Sequence, residues 1–199
     1  PHESHSGGPN ATRIRGVDPD SEPHGPSGAI PVYDLEGLRR YGNVLEEGEM
    51  VQITEKLHGE NARFYHDGER VWVGSRNNWK RLDTANGWAN FARANDLAER
   101  LAPFAGLCFY GELYGNTDLK YDATGERKLR LFDVFDVKRG AYLGIDAARA
   151  TAPDFFDWVP PLFEGPWSKS LLDLAEGTST LGGHVREGVL ESDPGVPDH

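Results

Sequence analysis

Cysteine and long apolar segments are nearly absent from this sequence of 199 residues. Its one cysteine, Cys108, has no second cysteine with which to form an internal disulfide, so an oxidising compartment is not indicated. No apolar run approaches the roughly 20 residues that a membrane-spanning helix needs, and the N-terminus lacks the apolar segment of a secretory signal. We therefore expect a soluble cytoplasmic protein with no membrane partner, in which Cys108 is a core residue.

Positive charge is also in short supply, since 21 Lys and Arg residues stand against 32 Asp and Glu residues and give a net charge of −11. This excess of negative charge excludes a protein that coats nucleic acid with a generally basic surface. The basic residues gather locally, as in Arg13 with Arg15 and in Arg76 with Lys80 and Arg81. Any contact with nucleic acid is therefore expected on a local basic face beside a cleft.

Bulky apolar residues are scarce in residues 1–30, which are rich in Gly, Pro, Ser, His and Asp. Such a segment cannot bury enough apolar surface to fold alone. We interpret residues 1–30 as a flexible linker or tail that wraps the rest of the chain. Residues 31–199 are predicted to form one domain, because that length is sufficient for a single core.

The periodicity of apolar residues predicts an α+β fold in which strands outnumber helices. Strands are predicted at 50–54, 62–65, 70–74, 107–114, 129–137, 141–143 and 185–190. Helices are predicted at 33–41, 87–101 and 170–176. Asp67 and Gly68 between two of the strands are typical of a hairpin turn, and Pro103 ends the second helix. Because hairpins pair their strands in opposite directions, we expect antiparallel sheets.

The sharpest feature is the segment 54–61, Thr-Glu-Lys-Leu-His-Gly-Glu-Asn, between a predicted strand and a hairpin. Lys56 at the end of that strand faces whatever fills the cleft, and Gly59 lets the backbone approach a ligand closely. A lysine attacks as a nucleophile only when neutral, and a nearby cation, a metal or desolvation favours the neutral form. Lys-x-x-Gly alone is close to a chance match, so an ordinary surface lysine before a turn remains an alternative.

Four further segments follow in order along the chain. They are 74–76 (Gly-Ser-Arg), 109–115 (Phe-Tyr-Gly-Glu-Leu-Tyr-Gly), 131–136 (Leu-Phe-Asp-Val-Phe-Asp) and 186–190 (Arg-Glu-Gly-Val-Leu). The five segments together resemble the covalent nucleotidyltransferase superfamily of ligases and capping enzymes over about residues 30–192. The first is similar to the Glu-Lys-x-x-Gly-x-Asn of the nick-sealing branch of RNA ligases. The resemblance implies antiparallel sheets that flank a nucleotide-binding cleft, with peripheral helices.

The resemblance also implies a role for seven side chains. Lys56 matches the lysine that accepts AMP, and Glu187 matches a carboxylate linked to a catalytic Mg²⁺ or Mn²⁺. The implied nucleotide-binding residues are Glu55, Asn61, Arg76, Glu112 and Phe132. These roles are chemically reasonable, because an aromatic ring stacks on a purine, a carboxylate accepts ribose hydroxyls and an arginine holds phosphate oxygens.

Several of these residues also have an ordinary structural interpretation. Phe132 and Phe135 lie on one side of a strand only if a bulge breaks their odd spacing, so at least one is expected in the core. Glu112 is otherwise an ion-pair partner. His58 stands where the family often has Asp or another polar residue, and a turn histidine is favoured over a metal ligand.

The activity implied by the resemblance is that of an ATP-dependent RNA ligase. Lys56 takes AMP from ATP, AMP passes to an RNA 5′-phosphate, and a 3′-OH seals the strand, with a nicked duplex as the expected substrate. The family has a later motif with a lysine pair, whereas no Lys or Arg follows Glu187 here. We therefore expect a domain truncated before that motif. A noncatalytic ATP- or RNA-binding module, a DNA ligase and a capping enzyme remain alternatives, and the oligomeric state stays open.

Overall fold

The computed structural model describes residues 18–33, 45–115, 119, 121–122 and 125–192. The described chain forms two sheets whose paired strands are almost all antiparallel, with short helices against one face of the larger sheet. This arrangement confirms the predicted α+β class. The helix predicted at 33–41 lies almost entirely outside the described residues. Among the residues described, no helix is long and apolar enough to cross a membrane.

The smaller sheet has three antiparallel strands. They are β1 (Met50–Glu55), β9 (Pro161–Pro166) and β10 (Val189–Ser192), in the order β10-β1-β9. The central strand, β1, is buried from Val51 to its end because both edges are covered and its apolar residues face a core of their own. That core contains Val51, Ile53, Trp167, Ala175 and Val189. β1 therefore holds the segment before Lys56 in a fixed position.

The larger sheet contains the other seven strands. They are β2 (Glu60–His66), β3 (Val71–Gly74), β4 (Trp79–Lys80), β5 (Leu107–Tyr114), β6 (Lys128–Asp136), β7 (Ala141–Tyr142) and β8 (Asp157–Trp158). Their order is β4-β3-β2-β5-β6-β7, and β8 pairs with β6 in parallel. The predicted hairpin is present, with Asp67 Oδ1 accepting hydrogen bonds from two backbone N–H groups of its turn.

The two faces of the larger sheet bury different kinds of side chain. One face is purely apolar and packs on the helices, with Ala62, Phe64, Phe109, Leu113 and Leu131 at its centre. The opposite face is mainly aromatic and includes Tyr65, Cys108, Tyr110, Tyr114, Phe132 and Phe135. Side chains alternate along each strand, so Asn61 and Glu112 share the aromatic face with Tyr110, and Phe132 belongs to that face as well.

The single helix predicted at 87–101 is wrong in one respect, because the chain breaks it into two. Helix α1 is Gly87–Ala94, with the Asn86 side chain accepting from the Ala89 N–H, and helix α2 is Leu97–Arg100. The break falls at Asp96, whose φ of 52° is left-handed. Asp tolerates this conformation better than most residues, so the apolar spacing continues through a gap in the helix.

The second half of the chain differs most from the prediction. The prediction lacks three elements that the structure contains, namely helix α3 (Ile145–Thr151), β8 and β9. The helix predicted at 170–176 is present as a 3-10 helix, Lys169–Ala175. β9 begins and ends with proline, which is compatible only with an edge strand. The strand predicted at 185–190 begins only at Val189, because the preceding residues form a loop in which Val185 is largely exposed.

An N-terminal strap, defined as residues 18–33, crosses the aromatic face of the larger sheet. Ser21 forms a β-bridge with Lys80 at one edge of the sheet. Near the middle, the Tyr110 hydroxyl donates to the Pro31 carbonyl at 2.7 Å. Tyr33 ends the strap over β6, where its hydroxyl donates to Asp133 Oδ2 at 2.9 Å. These contacts attach the strap to strands that also carry the predicted nucleotide-binding residues.

Candidate active site

The segment that carries Lys56 joins the two sheets. β1 of the smaller sheet ends at Glu55 and β2 of the larger sheet begins at Glu60, so only residues 56–59 lie between them. The Lys56 N–H donates to the Gly188 carbonyl at 2.9 Å, which brings the segment 186–190 beside the lysine. At Gly59, a Cβ atom would lie 2.6 Å from the Leu113 carbonyl oxygen, so only glycine permits this close approach to β5.

A cavity of about 50 Å³ opens where the two sheets meet. Its lining residues are Glu55, Lys56, Leu57, Glu112, Phe132, Val159 and Leu190. Glu55 and Leu190 come from the smaller sheet, whereas Glu112 and Phe132 come from the larger one. A water molecule takes about 30 Å³ of liquid volume, so a nucleotide fits only if most of it lies outside this cavity or its walls move apart.

Lys56, His58 and Glu187 form a polar cluster at the cavity. Lys56 Nζ lies 2.5 Å from Glu187 Oε1, and His58 Nδ1 lies 3.2 Å from Glu187 Oε2. Both the Lys56 and Glu187 side chains are about one-third exposed, at 38% and 34%. The His58 backbone N–H donates to the Tyr121 hydroxyl at 2.7 Å, which fixes the turn. The cluster is therefore ordered and still open to a ligand from solvent.

Glu55 is the fully buried acid of the site, with a relative exposure of 0%. Its Oε2 atom accepts two hydrogen bonds from Thr180, one from the backbone N–H and one from the hydroxyl, both at 2.7 Å. Its Oε1 atom is buried and has no hydrogen-bond partner among the described residues. One oxygen of this carboxylate is thus held by the protein, and the other is left for a donor.

Glu112 is a mostly buried acid on the opposite wall of the cavity. Burial raises the pKa of its carboxyl to about 8, and the negative charge of Glu187 acts in the same direction. A hydrogen bond from the Gly59 backbone N–H and the positive charge of Lys56 lower the pKa and so partly offset this increase. The carboxyl of Glu112 is therefore easily protonated when no ligand is bound.

Phe132 reaches the cavity because a β-bulge changes the alternation of β6. Tyr110 pairs with Asp133 but Gly111 pairs with Leu131, so Phe132 is the extra residue of the bulge. A Cβ atom at Gly111 would lie 2.6 Å from the Arg130 carbonyl oxygen, which explains the glycine opposite the bulge. Phe132 and Phe135 consequently lie on the same face, as the sequence required if both were to face the cleft.

Three of the seven predicted residues do not line the cavity: Asn61, Arg76 and Glu187, of which Glu187 contacts the lining residue Lys56 through an ion pair. Asn61 is in register with Glu112 across β2 and β5, and its side-chain oxygen is buried with no hydrogen-bond partner in the described part of the chain. Arg76 is exposed in the turn between β3 and β4. The structure therefore brings together Glu55, Lys56, Glu112, Phe132 and Glu187.

Several site residues had not been predicted from the sequence. Leu57, Val159 and Leu190 line the cavity, but isolated apolar residues carry no chemical signal. Thr180 is 125 positions from its partner Glu55, and only the fold brings the two together. Leu57 and Leu190 both belonged to segments singled out in the sequence, but an apolar residue type does not mark a site.

A resident metal centre is not built into the residues that the structure describes, since no group of three His, Cys, Asp or Glu side chains converges there. Glu187 offers a carboxylate that is one-third exposed beside Lys56. Mg²⁺ is commonly bound by one or two carboxylates together with substrate phosphates. Glu187 therefore fits a divalent ion that arrives with a nucleoside triphosphate.

A sequence model of the RNA ligase family matches residues 49–190, which is more than two-thirds of the chain and includes the whole cavity lining. This chain belongs to the RNA ligase family. A search of curated protein sequences found no significant match.

Solved structures of Naegleria gruberi RNA ligase have a similar fold. The ligase solved with PPi has a TM-score of 0.75 and 22% identity, over 96% of this chain and 59% of that one. A lysine variant with ATP and Mn has a TM-score of 0.72 and 23% identity, over 82% and 52%. A glutamate variant with AMP and Mn has a TM-score of 0.71 and 23% identity, over 81% and 52%. This chain thus spans little more than half the length of these ligases.

Proposed function

We propose that this chain is the nucleotidyl-transfer domain of an ATP-dependent RNA ligase and that Lys56 accepts AMP. The observation that supports this most strongly is the position of Lys56 Nζ in a cavity between two sheets, 2.5 Å from Glu187. Glu112 and Phe132 on the opposite wall suit a ribose and a purine. The similar Naegleria gruberi ligase was solved with ATP and Mn and with AMP and Mn.

The first step is an in-line attack of Lys56 Nζ on the α-phosphorus of ATP. A nitrogen–phosphorus bond forms while the phosphorus–oxygen bond to pyrophosphate breaks, which gives lysyl-AMP. The ammonium must first lose a proton, and Glu187 Oε1 is an acceptor within reach at 2.5 Å. Glu187 would hold a divalent Mg²⁺ or Mn²⁺, which would supply positive charge to the phosphate oxygens.

The later steps follow from the same chemistry. A phosphate oxygen at an RNA 5′ end attacks the AMP phosphorus and Lys56 leaves as the amine. A 3′-hydroxyl then attacks that 5′-phosphate, AMP leaves and the strand is sealed. In the proposal, the RNA ends belong to a nicked duplex held mainly through its phosphates. The cytoplasmic location expected from the sequence stays a prediction.

The nucleotide-binding residues divide by position. Glu112 accepts ribose hydroxyls, Phe132 stacks on adenine and Glu55 faces the base from the other sheet. Asn61 and Arg76 lie outside the small cavity, so their proposed contacts are to parts of the nucleotide that extend beyond it. The phosphates are the natural partner of an exposed arginine.

Labelling with radioactive ATP tests the first step alone. The chain incubated with [α-³²P]ATP and Mg²⁺ should acquire covalent label that stays with the denatured protein, and Lys56→Ala should remove it. Lys169→Ala is the matched control, since Lys169 begins a 3-10 helix away from the cavity, and it should label normally. Equal labelling of Lys56→Ala would contradict the assignment.

Other nucleotides separate the alternative functions. Label taken from GTP or from NAD⁺ in place of ATP would favour a capping enzyme or a DNA ligase. ATP binding measured by calorimetry, with no label acquired, would favour a noncatalytic ATP-binding module.

A further inference from the structure

The hydrogen bonds between Thr180 and Glu55 connect a surface loop to the wall of the cavity. Thr180 lies between the 3-10 helix Lys169–Ala175 and β10, and it is itself exposed. The loop is closed by hydrogen bonds next to it, since the Ser179 N–H donates to the His184 carbonyl at 2.8 Å. Thr178 and Val185 add a β-bridge. Thr180 therefore presents its two donors from a fixed backbone.

Both donors of Thr180 reach the same carboxylate oxygen. The N–H and the hydroxyl meet Glu55 Oε2 at 2.7 Å each, so this oxygen is held in position in the wall. Oε1 is buried and lacks a donor within the described residues, although Glu55 lines the cavity. A buried acceptor without a donor is unfavourable, so the site is suited to a ligand that donates a hydrogen bond at this point.

The position of Glu55 limits which donor of a nucleotide this is. Both Glu112 and Phe132 line the cavity, and in the proposed function Glu112 accepts the ribose hydroxyls while Phe132 stacks on the base. The remaining donor on adenine that faces outward is its exocyclic 6-amino group. A 6-oxo purine has a carbonyl oxygen there instead, which would meet the Glu55 oxygen as one acceptor against another.

We propose that Thr180 is a positioning residue for base selection, which holds Glu55 Oε2 so that Oε1 accepts the 6-amino group of a purine nucleotide. This inference rests on the proposed function, because it assumes that the cavity binds the base of a nucleotide. It adds the residue and the arrangement of donors that make the site prefer a 6-amino purine over a 6-oxo purine.

Calorimetric binding of three nucleotides to the intact chain tests the proposal without requiring activity. ATP carries the 6-amino group, purine riboside triphosphate lacks it and ITP carries a 6-oxo group. We expect the wild-type chain to bind ATP more tightly than either analogue by roughly ten- to a hundredfold. Thr180→Val removes one of the two donors to Oε2 and should reduce this preference several-fold.

Conservative variants distinguish positioning from a general structural effect. Thr180→Ser keeps the hydroxyl and should keep the wild-type preference, and Thr178→Val is a matched control on the same exposed loop. Glu55→Gln is the sharpest variant. Its amide oxygen should take the two Thr180 donors, which turns the NH₂ group towards the cavity and shifts the preference from ATP to ITP.

The outcomes separate this inference from the proposed function. If Thr180→Val keeps the wild-type ratio of ATP to purine riboside triphosphate affinity, or if Glu55→Gln still prefers ATP, the role of Thr180 is overturned. Wild-type binding of ATP with no preference among the three nucleotides overturns it as well and leaves the proposed function standing. Failure of the wild-type chain to bind any of the three would contradict both.

Discussion

Glu112 shows how the burial of one carboxyl links the site to stability. Its folded pKa of about 8 lies above the usual value of 4.5, so between these pH values the folded chain keeps a proton that the unfolded chain releases. The free energy of unfolding should therefore be highest at low pH in this window and fall by up to about 1.4 kcal/mol per pH unit as pH rises towards 8.

Glu112→Gln should remove this contribution, and urea unfolding at pH 5.5, 6.5 and 7.5 measures it. Glu99→Gln, on the exposed side of α2, is the control and should keep the wild-type slope. Parallel slopes for the wild-type chain and Glu112→Gln would show that Glu112 ionises normally in the folded state.

Individual site residues were predictable to the extent that their chemistry needs a recognisable type. Lys56, Glu112 and Glu187 stand in segments whose order indicated a site, and the structure places them together. Phe132 was uncertain because its direction depends on a bulge, which the sequence marks only indirectly through Gly111. Thr180 was not predictable, because a lone threonine in a loop has no pattern.

The N-terminal strap contacts Phe132, the aromatic residue that lines the cavity, through Tyr33. The Tyr33 ring packs against Phe132 with 4.8 Å between ring centroids, and Tyr33 is not among the residues that line the cavity. Tyr33 therefore contacts Phe132 from outside the cavity. Its hydroxyl binds Asp133, whose pKa is raised to about 6 by burial.

Replacement of Tyr33 should separate its ring from its hydroxyl. Tyr33→Leu removes the aromatic support of Phe132 and should weaken ATP binding several-fold, because the stacking surface is no longer held in place. Tyr33→Phe keeps the ring and should bind ATP normally while losing about 1 kcal/mol of stability with the hydrogen bond. Calorimetry and urea unfolding measure the two effects, and equal ATP affinity in Tyr33→Leu would contradict the role of the ring.

At the scale of elements, local patterns predicted most of the long strands, but they did not predict where a helix breaks or where a proline-containing strand forms. The apolar residues of β1, β2, β5 and β6 predicted these four strands, and most of those residues are buried. The break at Asp96 and the edge strand β9 were missed. In both cases the folded chain contains a residue type that local propensity disfavours there: Asp96 with a left-handed φ, and proline in strand β9.

The division into two sheets is a property of the whole molecule that the sequence did not reveal. The smaller sheet combines strands from distant parts of the chain. Strands β9 and β10 both pair with β1, from which they are separated by more than 100 residues in the sequence. Long-range pairing of this kind leaves no local pattern. The same division places the cavity at the boundary, with lining residues from both sheets.

Binding of ATP should therefore stabilise the two sheets together. At a hundred times its Kd, ATP should raise the free energy of unfolding by about 2.7 kcal/mol and Tm by about 5–11 °C. Hydrogen exchange should show added protection in β1 and β10 as well as in β5 and β6. Phe132→Ala should reduce the increase in unfolding free energy that ATP produces. Phe135→Ala, on the same face but outside the cavity, should lower the stability of the free chain and leave the increase produced by ATP unchanged. Protection confined to one sheet would place the nucleotide elsewhere, because a ligand bound between Glu55 and Glu112 cannot stabilise one wall alone.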